Sequence, residues 1–209
     1  MTAMPAAHTQ REMHMRPHFA HAFAAALVLI PVHLPLETLT VQPESRLWVE
    51  GTSTIKSFKC SVADFALSVA GENGAVPAVL AGQKAVKTIV LSVPAAKIDC
   101  GNGTMNDHMR KALKVEDVPT VQFKLSGYDV AKATTGVEGV VRGTLSLGGA
   151  QHPVDVTAVA TDAGNGAMRV IGSYELALSA FDLKAPSLMF GRIKVGDKVQ
   201  VKFDVVLKN

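Results

Sequence analysis

Lys198-Val199-Gln200-Val201-Lys202-Phe203-Asp204-Val205 alternates polar and apolar residues without a break. A period of two places 199, 201, 203 and 205 on one face of an extended chain and the Lys, Gln and Asp side chains on the other. Thr120-Val121-Gln122-Phe123-Lys124-Leu125-Ser126 repeats the pattern, and Val62–Val69 sets Phe65, Leu67 and Val69 against Asp64 and Ser68. Leu47–Ser57, Val86–Val93, Val137–Leu147, Val154–Ala160 and Met168–Ser179 read the same way, so about eight strands are expected. Turn signals separate them: Gly71-Glu72-Asn73-Gly74 with Pro77, the hairpin Gly148–Pro153, Asp162–Gly166, and Gly196-Asp197. An all-β domain follows, a closed up-and-down barrel or a sandwich, with closure removing adhesive edge strands.

One helix interrupts the strands. Asn102 or Thr104 can cap it, and Met105, Met109, Ala112 and Leu113 form an apolar stripe that ends before Pro119. Phe181–Val195, with Pro186 and Gly191, is a second stretch without strand character, of the kind that shapes a barrel mouth.

The 209 residues are enough for one domain. With 48% hydrophobic and 19% charged residues the chain is neither disordered nor a charged coiled coil. One Trp, two Tyr and a net charge of +3 without a Lys/Arg cluster argue against nucleic-acid binding. The same scarcity of aromatic residues argues against an integral outer-membrane barrel, which needs girdles at both interfaces.

Residues 1–36 read as an export signal or an N-terminal anchor, and 37–209 as the barrel domain. Arg11 and Arg16 precede an apolar run from Phe19 to Leu36, interrupted by His21, Pro31, His33 and Pro35. Met13 and Met15 are alternative starts. His14, His18 and His21 have helical spacing, but recurring zinc spacings belong to folded sites, so no metal site is assigned. Residues 37–209 hold 19 basic and 17 acidic residues. Cys60 and Cys100 are the only cysteines; in an exported chain they are expected to pair, closing a loop worth about 4 kcal/mol in the chain-entropy model.

No nucleophile elbow, Walker loop, zinc-protease motif or dinucleotide fingerprint is present, so neither an enzyme nor a cofactor is expected. Asp99, Asp107, Glu116 and Asp117 surround the helix as capping or solvated acids. His108 either orients a ligand head group or bonds to Asp107, and His152 reads as a solvated turn residue.

Three blocks resemble the YceI-like family of bacterial periplasmic polyisoprenoid-binding proteins. Ile98-Asp99-Cys100, Met105–Leu113 and Val118–Phe123 are similar to its "D-x-H-L … P-x-I-x-F" segment. Gly143–Val154 is similar to its "G-x-L-T-x-x-G-x-T-x-P-V" hairpin. Leu178–Asp182 with Val195–Val199 resembles its closing strand and "G-D-x-V" turn. Lys56 stands where the family often has a His, Met109 replaces a leucine, and the Cys60/Cys100 pair belongs to a subset.

The resemblance implies a lipocalin-like antiparallel barrel of about eight strands holding a long isoprenoid, a quinone or polyprenyl type, in an exported, periplasmic, non-enzymatic protein. A transient membrane contact and a homodimer are further partners it admits. The wall is then expected from Phe65, Leu67, Val69, Ile89, Leu91, Val121, Phe123, Leu125, Leu145, Leu147, Val154, Val156, Tyr174, Leu176, Leu178, Val201, Phe203 and Val205. Met105, His108, Met109, Leu188, Met189 and Phe190 are expected at the mouth. Two alternatives compete: a barrel filled by its own side chains that serves as an interaction domain, and an enzyme using His108 and Asp107.

Overall fold

The computed structural model describes Thr2 and residues 36–188 and 192–209, with no side chain described for Leu188; among these residues are twelve strands and two short α-helices. The strands are β1 (Glu37–Val41), β2 (Arg46–Ser53), β3 (Ser57–Val62), β4 (Ala66–Gly71), β5 (Val86–Pro94), β6 (Ile98–Asp99), β7 (Thr120–Ala133), β8 (Gly136–Leu147), β9 (Ala150–Gly164), β10 (Ala167–Ala177), β11 (Ser187–Leu188) and β12 (Ile193–Lys208). The helices are α1 (Ala75–Leu80) and α2 (Gly103–Ala112).

Eight antiparallel strands close into a ring in the order β1-β4-β5-β7-β8-β9-β10-β12. The seam is β1: Thr40 and Val41 pair with Lys208 and Leu207, while Glu37–Leu39 pair with Gly71, Ala70 and Val69. The long β12 also pairs through Val195–Asp204 with β2, which continues to β3 and β6. The alternation of β12 holds: Val199 and Val205 are buried and face the interior with Val201 and Phe203, while Lys202 reaches Glu50 on the outer face (2.6 Å).

Several boundaries differ from the sequence reading. The expected strand Leu47–Ser57 is β2 plus a tight turn, in which the Ser53 hydroxyl donates to the Lys56 carbonyl (2.8 Å). The expected strand Val62–Val69 straddles the end of β3 and the start of β4. The Gly148–Pro153 hairpin is tighter than expected. Only Gly148 and Gly149 turn the chain, both with positive φ (56° and 92°), the geometry of a two-residue type I′ connection. His152 lies in β9, exposed, with its ring edge-on to Phe181 (4.9 Å).

The stretch read as a turn, Gly71–Gly74 with Pro77, runs into α1, whose first three residues it includes. Pro77 is compatible with a first helical turn, where its missing N–H would have no partner anyway. Gly74 supplies no side-chain cap. The last residue of the chain does so instead: Asn209 Oδ1 accepts from the Val76 N–H (3.0 Å), and Asn209 Nδ2 donates to Glu37 (3.0 Å). Ala75, Val76 and Val79 are buried with Leu39, Val69, Met168, Val205 and Leu207, so α1 stops one end of the barrel.

Candidate ligand-binding cavity

The ring encloses a cavity of about 390 Å³. Its walls are inward residues of every barrel strand but β1, with Val79 of α1 at one end and Met105, His108, Met109 and Ala112 of α2, followed by Leu113, at the other. Among the described residues, no carboxylate, ammonium or guanidinium group lines it. Apolar cavities of about 150 Å³ already stay dry and take up apolar ligands, and the lining of this one suits hydrocarbon in the same way. A barrel filled by its own side chains would have no such space.

Three inward phenylalanines set their rings over glycines of a neighbouring strand. A Cβ on Gly51 would meet the Phe58 ring at 2.4 Å, one on Gly143 the Phe123 ring at 2.3 Å, and one on Gly172 the Phe203 ring at 2.2 Å. A side chain at these positions would displace the rings, and all three rings belong to the cavity wall. The glycines thus keep bulky aromatic groups against the barrel wall and leave the axis open.

The Cys60–Cys100 disulfide joins β3 to the segment that leads into α2, and both cysteines line the cavity. Around it, Asn106 Oδ1 accepts from the Cys100 N–H (2.8 Å), and Asn106 Nδ2 donates to Asp99 Oδ1 (2.8 Å), which also accepts from the Gly101 N–H (2.9 Å). The Asn106 amide, with the Gly101 N–H second, holds the Asp99 carboxyl below its ordinary range. Asn102, not Thr104, caps α2, accepting from the Met105 N–H (3.0 Å). No residue of α2 is fully buried; Met105, Met109 and the following Leu113 pack partly against the barrel rim.

Polar atoms on the wall are few. The Tyr128 hydroxyl oxygen accepts from the Val86 N–H (2.9 Å), bridging β7 to β5 where their ladder has ended. Tyr174 lies on β10 beyond the last rung of the β9–β10 ladder, and burial pushes both phenols up. His108 lines the α2 end, but Asp107 engages Arg110 (3.1 Å).

Of the residues expected at the site, Phe65, Leu67, Val69, Ile89, Leu91, Met105, His108, Met109, Val121, Phe123, Leu145, Leu147, Val154, Val156, Tyr174, Leu176, Leu178, Val201, Phe203 and Val205 line the cavity. Leu125 does not. It precedes a bulge at Ser126, where the β7–β8 register shifts, and packs into the cluster around α1. Met189, Phe190 and the Leu188 side chain lie outside the described residues, as do the segment 1, 3–35 and its histidines. Wall residues missed in the sequence include Phe58, Val79, Tyr128, Val137 and Met168. Tyr128 was hidden by the bulge, which resets the alternation of β7. Val137 and Met168 stood at the starts of runs already read as strands, whereas Phe58 fell between the expected strands Leu47–Ser57 and Val62–Val69, although Ser57–Val62 alternates as well.

Comparison with known proteins adds the family. The model of the YceI-like domain matches residues 40–207. The chain belongs to the YceI-like family. Its barrel is similar to that of Burkholderia cenocepacia BcnA, with 20% identity, a TM-score of 0.62, and coverage of 80% of this chain and 99% of that one. It is also similar to a polyisoprenoid-binding domain from Saccharophagus degradans implicated in plant cell wall breakdown (14%, 0.54, 84% and 99%). A third similar structure is the Campylobacter jejuni YCEI protein (12%, 0.54, 92% and 97%). At these identities the likeness establishes the YceI-like fold. No curated protein matches the sequence.

Proposed function

We propose that this YceI-like chain is a non-enzymatic carrier that holds one long isoprenoid lipid, of quinone or polyprenyl type, in its barrel in the periplasm or another exported location. The observation that carries the reading is the cavity: about 390 Å³, closed by α1 at one end and walled by hydrocarbon. Each CH₂ transferred from water into such a site contributes about 0.8 kcal/mol, so a prenyl chain needs no polar contact to bind tightly. His108 lines the α2 end, which supports a role for it beside a polar head group. Membership in a family with a polyisoprenoid-binding relative supports the ligand class. The disulfide supports export, since such bonds persist in oxidising compartments.

The test is solvent extraction of the protein purified from its native bacterium, with mass spectrometry of the extract. A stoichiometric prenyl lipid is the expected result. An empty extract, followed by no uptake of added farnesylated or solanesylated quinone, would overturn the reading.

A further inference from the structure

The rim of the cavity carries a patch that the barrel itself does not use. Ile55, at the tip of the β2–β3 turn, is 66% exposed. The turn is fixed against the start of β12: Thr54 Oγ1 donates to the Arg192 carbonyl (3.1 Å), and the Thr54 N–H donates to the Lys194 carbonyl (3.0 Å). Lys56 adjoins Ile55, and Lys184 lies two residues before Pro186, whose carbonyl accepts from the Val195 N–H (3.0 Å). Pro186 and Val195 both line the cavity, so the patch borders the lumen directly.

Lys56, Lys184, Arg192 and Lys194 are exposed and make no ion pair among the described residues. Neither 53–57 nor 184–195 contains an acid, although residues 37–209 hold 17 of them against 19 basic residues. These two segments thus bring four cations and no acid to one exposed aliphatic side chain at the opening of a hydrocarbon cavity, with Asp182 and Asp197 the nearest acids along the chain. Unpaired cations flanking an apolar tip fit an anionic bilayer: the cations meet lipid phosphates while Ile55 enters the interface.

We propose that this rim docks the barrel on the surface of an anionic phospholipid bilayer, with the cavity opening toward the lipid. The proposal rests on the carrier reading and deepens it by naming the surface with which the lipid is exchanged.

The experiment is flotation of the full chain with vesicles of phosphatidylcholine, alone or containing one-third phosphatidylglycerol. Any contribution from the apolar N-terminal segment is common to all variants and to both vesicle types. The expected result is a preference for the anionic vesicles that collapses between 0.1 and 1 M salt, as the Debye length falls from about 10 to 3 Å. Lys56→Gln/Arg192→Gln/Lys194→Gln should reduce that preference about a hundredfold, at about fivefold per cation. Ile55→Ser should weaken binding without changing its salt dependence. Unchanged thermal midpoints and unchanged uptake of a prenylquinone from detergent would show that the variants are folded and the cavity intact. No anionic preference in the wild type, or one that survives the triple substitution, overturns the proposal. So does rim-dependent binding to polyglutamate without vesicle binding, which would assign the patch to an acidic protein. Rim-dependent vesicle binding by a protein that takes up no prenylquinone would defeat the carrier reading alone.

Discussion

Gly51→Ala tests whether the space inside the barrel is kept open by aromatic rings lying on glycines. Of the three ring-on-glycine pairs this is the cleanest, because the three atoms nearest the added Cβ are all Phe58 ring carbons, at 2.4 Å, 2.9 Å and 3.0 Å, whereas backbone oxygens are among the three nearest at Gly143 and Gly172. Gly51 does not have a positive φ, so alanine fits the backbone. The ring must retreat by about 1 Å to reach ordinary contact, and the space available to it is the cavity. Replacing a strand glycine favours the folded state by about 0.5–1 kcal/mol, while turning the ring off its preferred rotamer costs about 0.5–1.5 kcal/mol. Stability should therefore change by less than about 1 kcal/mol, or about 2–4 °C in Tm for a domain of this size. Affinity should change more. A phenyl ring displaced into the lumen forecloses roughly one to three CH₂ positions, worth about 0.8–2.4 kcal/mol, or roughly 4- to 60-fold in Kd. The assay is displacement of a fluorescent prenyl probe, with thermal melts of the same samples. Gly51→Ala/Phe58→Leu should recover the affinity, because the shorter side chain leaves the axis. Wild-type affinity in Gly51→Ala would refute the reasoning, as would a loss that Phe58→Leu does not relieve.

Three further outcomes are expected. Removing the Cys60–Cys100 bond by Cys100→Ser should cost about 4 kcal/mol and leave amide exchange in α2 faster than elsewhere in the barrel, measured by denaturation and hydrogen exchange. Asn209→Ala removes the acceptor for the Val76 N–H and the partner of Glu37, and should cost about 0.5–2 kcal/mol in urea unfolding, with α1 exchanging first. Asp99 has a folded-state pKa below its unfolded value, so its anchoring of Asn106 is fully present above the ordinary carboxylate range and is lost as pH falls through the lowered value. Protection in α2 should accordingly be flat from neutral pH down to about 4 and drop below it, and Asp99→Asn should abolish that acid step.

Strands were legible wherever one face meets the lumen and the other meets water, because that contrast writes a period of two into the sequence. Val199, Val201, Phe203 and Val205 are the clearest case, and the α2 stripe of Met105, Met109 and Leu113 is its helical counterpart. Elements secured by distant partners were not legible. β1 is five residues whose role as the seam depends on Lys208 and Leu207, and α1 is six residues with a proline whose cap comes from Asn209. Nor does alternation report whether inward residues meet one another or a void. Phe58 over Gly51 and Phe203 over Gly172 are pairs across strands, and the cavity depends on those pairings rather than on either residue alone.

The two ends of the barrel differ in what it takes to open them. Withdrawing α1 exposes Ala75, Val76 and Val79, of which the two valines alone represent about 3–6 kcal/mol of burial, and breaks the bonds that Asn209 and Glu37 make to the α1 backbone and to the Gly74 N–H. Tilting α2 exposes no fully buried side chain, because Met105, Met109 and Leu113 are already partly solvated. The disulfide and the Asp99–Asn106 bond hold the N-terminal end of α2, and the segment after it is tied to the barrel where the Ala95 N–H donates to the Pro119 carbonyl (2.8 Å). Methionine side chains re-pack around ligands of irregular shape at little cost, which suits them to that end. Under the carrier reading proposed above, a hydrocarbon chain would enter past α2, run down the axis beside the glycine-backed rings, and stop against Val79. The same reading would set His108, and not the tyrosines deeper in the wall, beside whatever polar group the chain carries.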